Sequence, residues 1–130
     1  MPRPQKTPAA RNPAIRVVLL PRDTNERGTI FGGVILSYID LAGAVEARRF
    51  GNHRFVTVAI KEVVFAKPVY VGDVISFYAS TRKTGNTSVT IHLDVEAQRR
   101  DDAARVEKVT EADVVYVAVD ASGKPVPLKG

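Results

Sequence analysis

The sequence predicts an α+β domain in which one long helix is wrapped by an antiparallel sheet, and three observations carry that prediction. Val34 to Phe50 is a proline-free stretch rich in Ala, Leu, Ile and Val that closes at Gly51, which reads as a helix with a glycine stop. After His53 the texture changes to β-branched segments punctuated by Lys67-Pro68, Gly72-Asp73 and Gly85-Asn86. Within them, Ser88 to Ala97 alternates apolar Val89, Ile91, Leu93, Val95 and Ala97 with polar Ser88, Thr90, His92, Asp94 and Glu96. That period of two marks a strand with one buried and one wet face. A single helix among antiparallel strands is an α+β architecture.

In chain order, Ile15–Leu20 is a short apolar run ended by Pro21 and is expected as the first strand. Arg22 to Gly33 is turn-rich, holding Asp23, Asn25, Gly28, Gly32 and Gly33. The helix follows, its apolar side chains (Val34, Ile35, Leu36, Ile39, Leu41, Ala42, Ala44 and Val45) covering nearly the whole circumference. A helix apolar all round is expected to be buried. Phe55–Ala66 and Val74–Thr84 are the next strands, Gly85-Asn86 a hairpin turn, and Ser88–Ala97 the strand already described. Gln98–Arg105 is expected as a polar loop, Val106–Val119 as the last strand, and Ser122-Gly123 as a turn. No internal repeat or linker divides the chain. Residues 14–130 are expected as a single domain, and residues 1–13 as a disordered basic tail rich in Pro and Ala.

Composition narrows the function. The chain of 130 residues is 45% hydrophobic and 25% charged, an ordinary balance for a globular protein. It has no cysteine, which excludes disulfides, thiolate nucleophiles and cysteine-held zinc and suits a cytoplasmic location. Of the formal net charge of +5, Arg3, Lys6 and Arg11 supply three, leaving +2 on the rest. So weak a footprint argues against a nucleic-acid partner. No apolar run approaches the roughly 20 residues that span a bilayer, and the basic start lacks the apolar segment of a secretory signal, so no membrane partner is expected. His53 and His92 have no second ligand at metal spacing, Gly-x-Ser-x-Gly is absent, and no glycine-rich phosphate loop occurs. The expectation is neither a metal nor a cofactor.

Asp40 is the anomaly. It stands mid-helix between Ile39 and Leu41, where a carboxylate is costly to bury unless it is paired, hydrogen-bonded or open to a cleft. Two readings stand at this point: a functional acid, or an acid satisfied by Ser37 or by an arginine. Gly32-Gly33 opens the helix, where free N–H groups and the helix dipole favour negative charge and could hold an oxyanion; an ordinary glycine turn explains the pair equally. Asn25 either closes an Asx-turn or offers an amide to substrate or water. The basic side chains between Arg48 and Lys83 are a solvated rim, or else a screen for substrate phosphates.

The ordered motifs narrow these choices. Pro21-x-Asp23-Thr24-Asn25-x-x-Gly28-x-Ile30-Phe31-Gly32-Gly33 is followed by Asp40-x-Ala42-Gly43 and Val56-Thr57-Val58-Ala59. Then come Phe65-x-x-Pro68-Val69-x-Val71-Gly72-Asp73, Gly85-x-Thr87-Ser88 and Val117-Ala118-Val119-Asp120. From about Leu20 to Pro127 the chain resembles the bacterial acyl-CoA hydrolases of the hotdog superfamily. The resemblance implies a hotdog fold and hydrolysis of acyl-coenzyme A to a free acid and coenzyme A. It implies Asp40 as general base or nucleophile, Asn25 as a positioning amide, and N–H groups near Phe31, Gly32 and Gly33 as carbonyl polarisers. It implies coenzyme A held along Val58, Ala59 and Ile60 and along Thr87, Ser88 and Val89, no separate cofactor, and a homodimer with shared sites that assembles into a trimer of dimers. Many relatives have His at the place of Phe31 and Asn at that of Thr29, so carbonyl polarisation here departs in detail. The rival readings are a thioesterase for aryl-CoA or acyl-carrier protein, and a non-catalytic acyl-CoA-binding module; a binding module of this fold would be expected to lack the acid.

Overall fold

The computed structural model describes residues 11–128. Its regular elements are β1 (Ile15–Val18), α1 (Gly32–Ala47), β2 (Arg54–Phe65), β3 (Val74–Thr84), β4 (Ser88–Gln98) and β5 (Val106–Val119). The five strands form one antiparallel sheet in the order β1-β3-β4-β5-β2, with α1 packed across its concave face. No helix of the described residues is long and apolar enough to cross a membrane.

The alternation read in β4 sets the inner face. Val89, Ile91, Leu93, Val95 and Ala97 are fully buried, and the matching positions of β5, Ala112, Val114, Tyr116 and Ala118, lie beside them. Onto this surface α1 lays Ile35, Ile39, Ala42 and Ala47, and Tyr38 stacks on Phe77 of β3 with ring centroids 5.7 Å apart. The wet face of β4 is drier than the alternation implies, because Thr90 is also buried.

Three boundaries differ from the sequence reading by two residues or more. β1 stops at Val18, and the helix begins at Gly32 rather than Val34. It leaves the α conformation at Ala47 and tightens into a 3-10 turn, Arg48–Phe50. Gly51 then takes φ +119°, a conformation an L side chain rarely adopts, so the expected glycine stop falls where it was placed. At the other end, Arg11 is docked, its Nη1 3.3 Å from Glu96 Oε2 and its guanidinium 3.8 Å over the Tyr78 ring. Arg11 thus packs on the domain although it falls in the segment expected as a tail, and residues 1–10 lie outside the described residues.

The helix is not enclosed by its own chain. Its stripe Gly33, Ser37, Leu41 and Val45 is exposed, with Leu41 at 57% and Val45 at 51%. A five-stranded sheet covers one side of a helix, and the opposite side carries no polar stripe to suit water. The outer edge strand β2 is equally bare, exposing Val56, Val58, Ile60, Val64 and Phe65. The expected polar loop after β4 also hides a buried group. Arg99 is 5% exposed and reaches Asp73 Oδ2 at 2.8 Å, Glu107 Oε1 at 2.7 Å and the Pro68 carbonyl at 3.0 Å. It ties the turn at Gly72-Asp73 to the start of β5 through hydrogen-bonded ion pairs.

Candidate active site

Asp40 projects from the third turn of α1 and is half-buried. Among the described residues neither Ser37 nor an arginine satisfies it: Ser37 Oγ donates to the Val34 carbonyl at 2.7 Å. Its partners come from the sheet. Thr57 Oγ1 on β2 donates to Asp40 Oδ1 at 2.7 Å. The Tyr116 hydroxyl on β5 donates to the Asp40 main-chain carbonyl at 2.6 Å and lies 3.2 Å from the same Oδ1. Both donors approach one oxygen, and Asp40 Oδ2 accepts no hydrogen bond among the described residues.

Strand register explains the convergence. Thr57 is the Cα partner of Tyr116 across β2 and β5, and Tyr116 that of Val89 across β5 and β4. Val89, Tyr116 and Thr57 therefore form one row across the sheet under the helix. Burial, then the negative charge of Asp40, pushes the Tyr116 phenol well above its ordinary value, so it stays a donor.

The row also locates the two segments that the resemblance links to coenzyme A. Val58, Ala59 and Ile60 follow Thr57 on the free edge of β2, where the register slips between Thr57 and Ala59 and leaves Val58 as the extra residue of a bulge. Thr87 and Ser88 lie at the hairpin before Val89; the Thr87 carbonyl accepts from Ala118 N at 2.9 Å, and Ser88 pairs with Val117. Val89 is buried beneath the helix, so its side chain faces the core.

At the head of α1 the N-cap is Phe31, with no side-chain cap, and the N–H groups of Gly32 and Gly33 have no acceptor among the described residues. Phe31 N is committed to the Asp23 carbonyl at 2.8 Å, which removes it from the donors expected there. Both glycines serve close packing. A Cβ on Gly33 would come within 2.9 Å of the Phe31 ring, and one on Gly32 within 3.4 Å of the Phe65 ring. An open cleft of about 270 Å³ lies here, lined by Gly32, Ile30, Ile35, Phe65 and Val69, with Lys67 on its wall.

Asn25 is not brought to Asp40. Its Oδ1 accepts from Arg27 N at 2.8 Å and Thr29 N at 3.2 Å, and its Nδ2 donates to Thr29 Oγ1 at 2.9 Å. Within the chain it closes a tight loop, which is the Asx-turn reading.

A second cluster lies on the outer face. His92 Nδ1 is 2.7 Å from Asp113 Oδ1, and its Nε2 is 3.2 Å from Asp94 Oδ1. His92, Asp94 and Glu111 approach as metal ligands can, a grouping that the linear spacing did not reveal because Glu111 comes from the neighbouring strand. Lys108 already joins the two acids, its Nζ 3.0 Å from Asp94 and 2.6 Å from Glu111. Burial works to raise the Asp94 carboxyl, but the Lys108 hydrogen bond and the His92 charge outweigh it and hold it below its ordinary value. These carboxylates thus already have a cationic partner within the chain.

Comparison with known proteins identifies the family and the fold. The family model of the thioesterase superfamily matches residues 27–104. The acyl-CoA thioester hydrolase YciA of Salmonella typhimurium is 41% identical over 116 residues, covering 88% of this chain and 87% of that protein. The enzyme of the same name from Escherichia coli is 41% identical over 113 residues, covering 85% and 86%. Among solved structures, a hexameric hotdog-fold thioesterase of Campylobacter jejuni superposes with a TM-score of 0.83 at 45% identity, over 88% of each chain. A hexameric thioesterase of Yersinia pestis superposes at 0.85 and 40% identity, over 92% of this chain and 97% of that one. The hotdog fold expected from the motifs is the fold observed.

Proposed function

The chain belongs to the thioesterase superfamily, and on that premise we propose that it hydrolyses acyl-coenzyme A to the free carboxylic acid and coenzyme A, with Asp40 as the reacting carboxylate. One observation carries the assignment. Asp40 is held at Oδ1 by hydroxyls from two strands, while Oδ2 accepts no hydrogen bond among the described residues.

Hydrolysis replaces the thioester C–S bond by a C–O bond to water, and the released sulfur ends as the thiol. A carboxylate oxygen with no internal partner can take the proton of the attacking water, a general-base step. The developing oxyanion needs donors already in place, and the free N–H groups of Gly32 and Gly33 at the positive end of the helix dipole supply them. The exposed main chain of Val58, Ala59 and Ile60 offers an edge along which the extended pantetheine arm can lie, with the Thr87-Ser88 hairpin beyond it. The exposed apolar side chains of the helix (Leu41 and Val45) and of β2 (Val56, Val58, Ile60, Val64 and Phe65) fit a second copy of the chain packed there, as a homodimer that assembles further into a trimer of dimers.

The test is a coenzyme A-release assay over acetyl to palmitoyl thioesters, with benzoyl-CoA and an acyl-carrier-protein thioester alongside. The expected result is turnover of acyl-CoA that Asp40→Ala lowers by about 10²–10⁴-fold without loss of fold. Turnover confined to benzoyl or carrier-protein thioesters would favour the rival thioesterase readings, and acyl-CoA binding without turnover the binding-module reading.

A further inference from the structure

We infer that Tyr116 is a positioning residue for the Asp40 carboxylate, anchoring it from inside the sheet so that Oδ2 is the oxygen presented to the thioester. The inference rests on Asp40 being the reacting group, as proposed above.

Tyr116 is 1% exposed, so substrate does not reach it. Its ring belongs to the core, and its hydroxyl is the one side-chain polar atom it must satisfy. A core at this place is served as well by phenylalanine unless the hydroxyl has work elsewhere. That hydroxyl ends on Asp40 twice, at 2.6 Å from the main-chain carbonyl and 3.2 Å from Oδ1. A hydroxyl carries a single proton, so the shorter contact takes most of it and the longer one shares it. The first contact fixes the height of this helix turn over β5; the second, added to the bond from Thr57 at 2.7 Å, fixes the carboxylate torsion. Because Thr57 and Tyr116 are register partners, both hydroxyls reach the same oxygen and leave the other free.

The helix makes room for this contact. Gly43 lies one turn below Asp40, and a Cβ there would collide with the Tyr116 hydroxyl. The absence of a side chain at position 43 is what lets the phenol reach the backbone of Asp40. The spacing of Asp40 and Gly43 thereby gains a physical reason: acid and gap stand one turn apart on the same side of the helix.

The test is Tyr116→Phe in the full chain, which keeps the ring and deletes the hydroxyl. The expected result is a kcat lowered about tenfold or more, as for loss of a hydrogen bond to a charged group, with KM within about twofold because Tyr116 acts only through Asp40. Oligomeric state and circular dichroism stay as in wild type. In an Asp40→Ala background, followed by single turnover with enzyme in excess, Tyr116→Phe is expected to cost nothing further, since the group it positions is gone. The inference is overturned by a Tyr116→Phe kcat within about twofold of wild type, or by a loss that persists undiminished in the Asp40→Ala background. A wild-type protein inactive on every acyl-CoA removes the functional reading instead. An Asp40→Ala enzyme at full rate removes the assignment of Asp40.

Discussion

Thr57 gives the Asp40 carboxylate its shortest side-chain hydrogen bond, at 2.7 Å, and its hydroxyl has no other partner among the described residues. Thr57 is exposed, so this bond adds little to the fold, and its loss is expected to show in the rate. Thr57→Val keeps the β-branched shape that suits a strand and is expected to lower kcat about tenfold or more, with little change in melting temperature. Thr57→Ser, which restores the hydroxyl, is expected to recover most of the rate; steady-state kinetics on one acyl-CoA decides it, and a Thr57→Val enzyme at wild-type rate would remove Thr57 from the site. The legibility of these residues differs for a physical reason. Asp40 was visible in the sequence because a charge inside an apolar helix is an exception to its surroundings. Thr57 and Tyr116 were not, because a threonine and a tyrosine in β-rich segments are ordinary strand formers. Their roles appear only when register sets two strands side by side.

The elements carry the same division between local pattern and three-dimensional closure. The alternation in β4 needs only its own residues, and the structure places all five apolar side chains in the core. The burial of α1 was read from a circumference without a polar face, yet Leu41 and Val45 are exposed. Amphipathicity tells which face avoids water, not which chain covers it. Arg99 fails for a related reason: its ion pairs with Asp73 and Glu107 join segments 26 and 8 residues away, while its own neighbours read as loop. Gly43 turns the packing of α1 on β5 into a measurement. Alanine in a helix interior is ordinarily favoured over glycine by about 1 kcal/mol. Here a Cβ would strike the buried Tyr116 hydroxyl, and overpacking of that kind costs about 1–3 kcal/mol. Gly43→Ala is therefore expected to destabilise the protein in urea unfolding. The same change in a Tyr116→Phe background, which lacks the oxygen, is expected to cost less. Equal costs in both backgrounds would show that the hydroxyl does not set the helix height.

For the whole molecule, the separation of the two halves of the chemistry is a matter of helix geometry. Asp40 lies seven residues beyond Gly33 on one rigid helix, roughly 10 Å along the axis at 1.5 Å per residue. That separation sets the N–H groups of Gly32 and Gly33 well apart from the acid of the same helix, and a site shared between subunits is the arrangement expected from the resemblance. A second copy packed against the exposed stripe of α1 and the edge of β2 would bring the head of one helix to the Asp40 of the other. Asn25 lies in the loop that leads into the head of the helix and travels with it, which agrees with its lack of contact with its own Asp40. The expected site therefore takes Asn25, Gly32 and Gly33 from one subunit and Asp40 from its partner. Mixing Asn25→Ala and Asp40→Ala proteins after reversible dissociation tests this. Random reassociation makes half of the dimers mixed, and each of those has one intact site and one doubly damaged site. Activity is then expected to return to about a quarter of wild type, from parents that are each nearly inactive. Differently tagged subunits, recovered together by sequential affinity capture, establish that mixed dimers have formed. If those dimers stay as inactive as the parents, the asparagine and the acid serve one bond from one subunit, and the shared site is wrong.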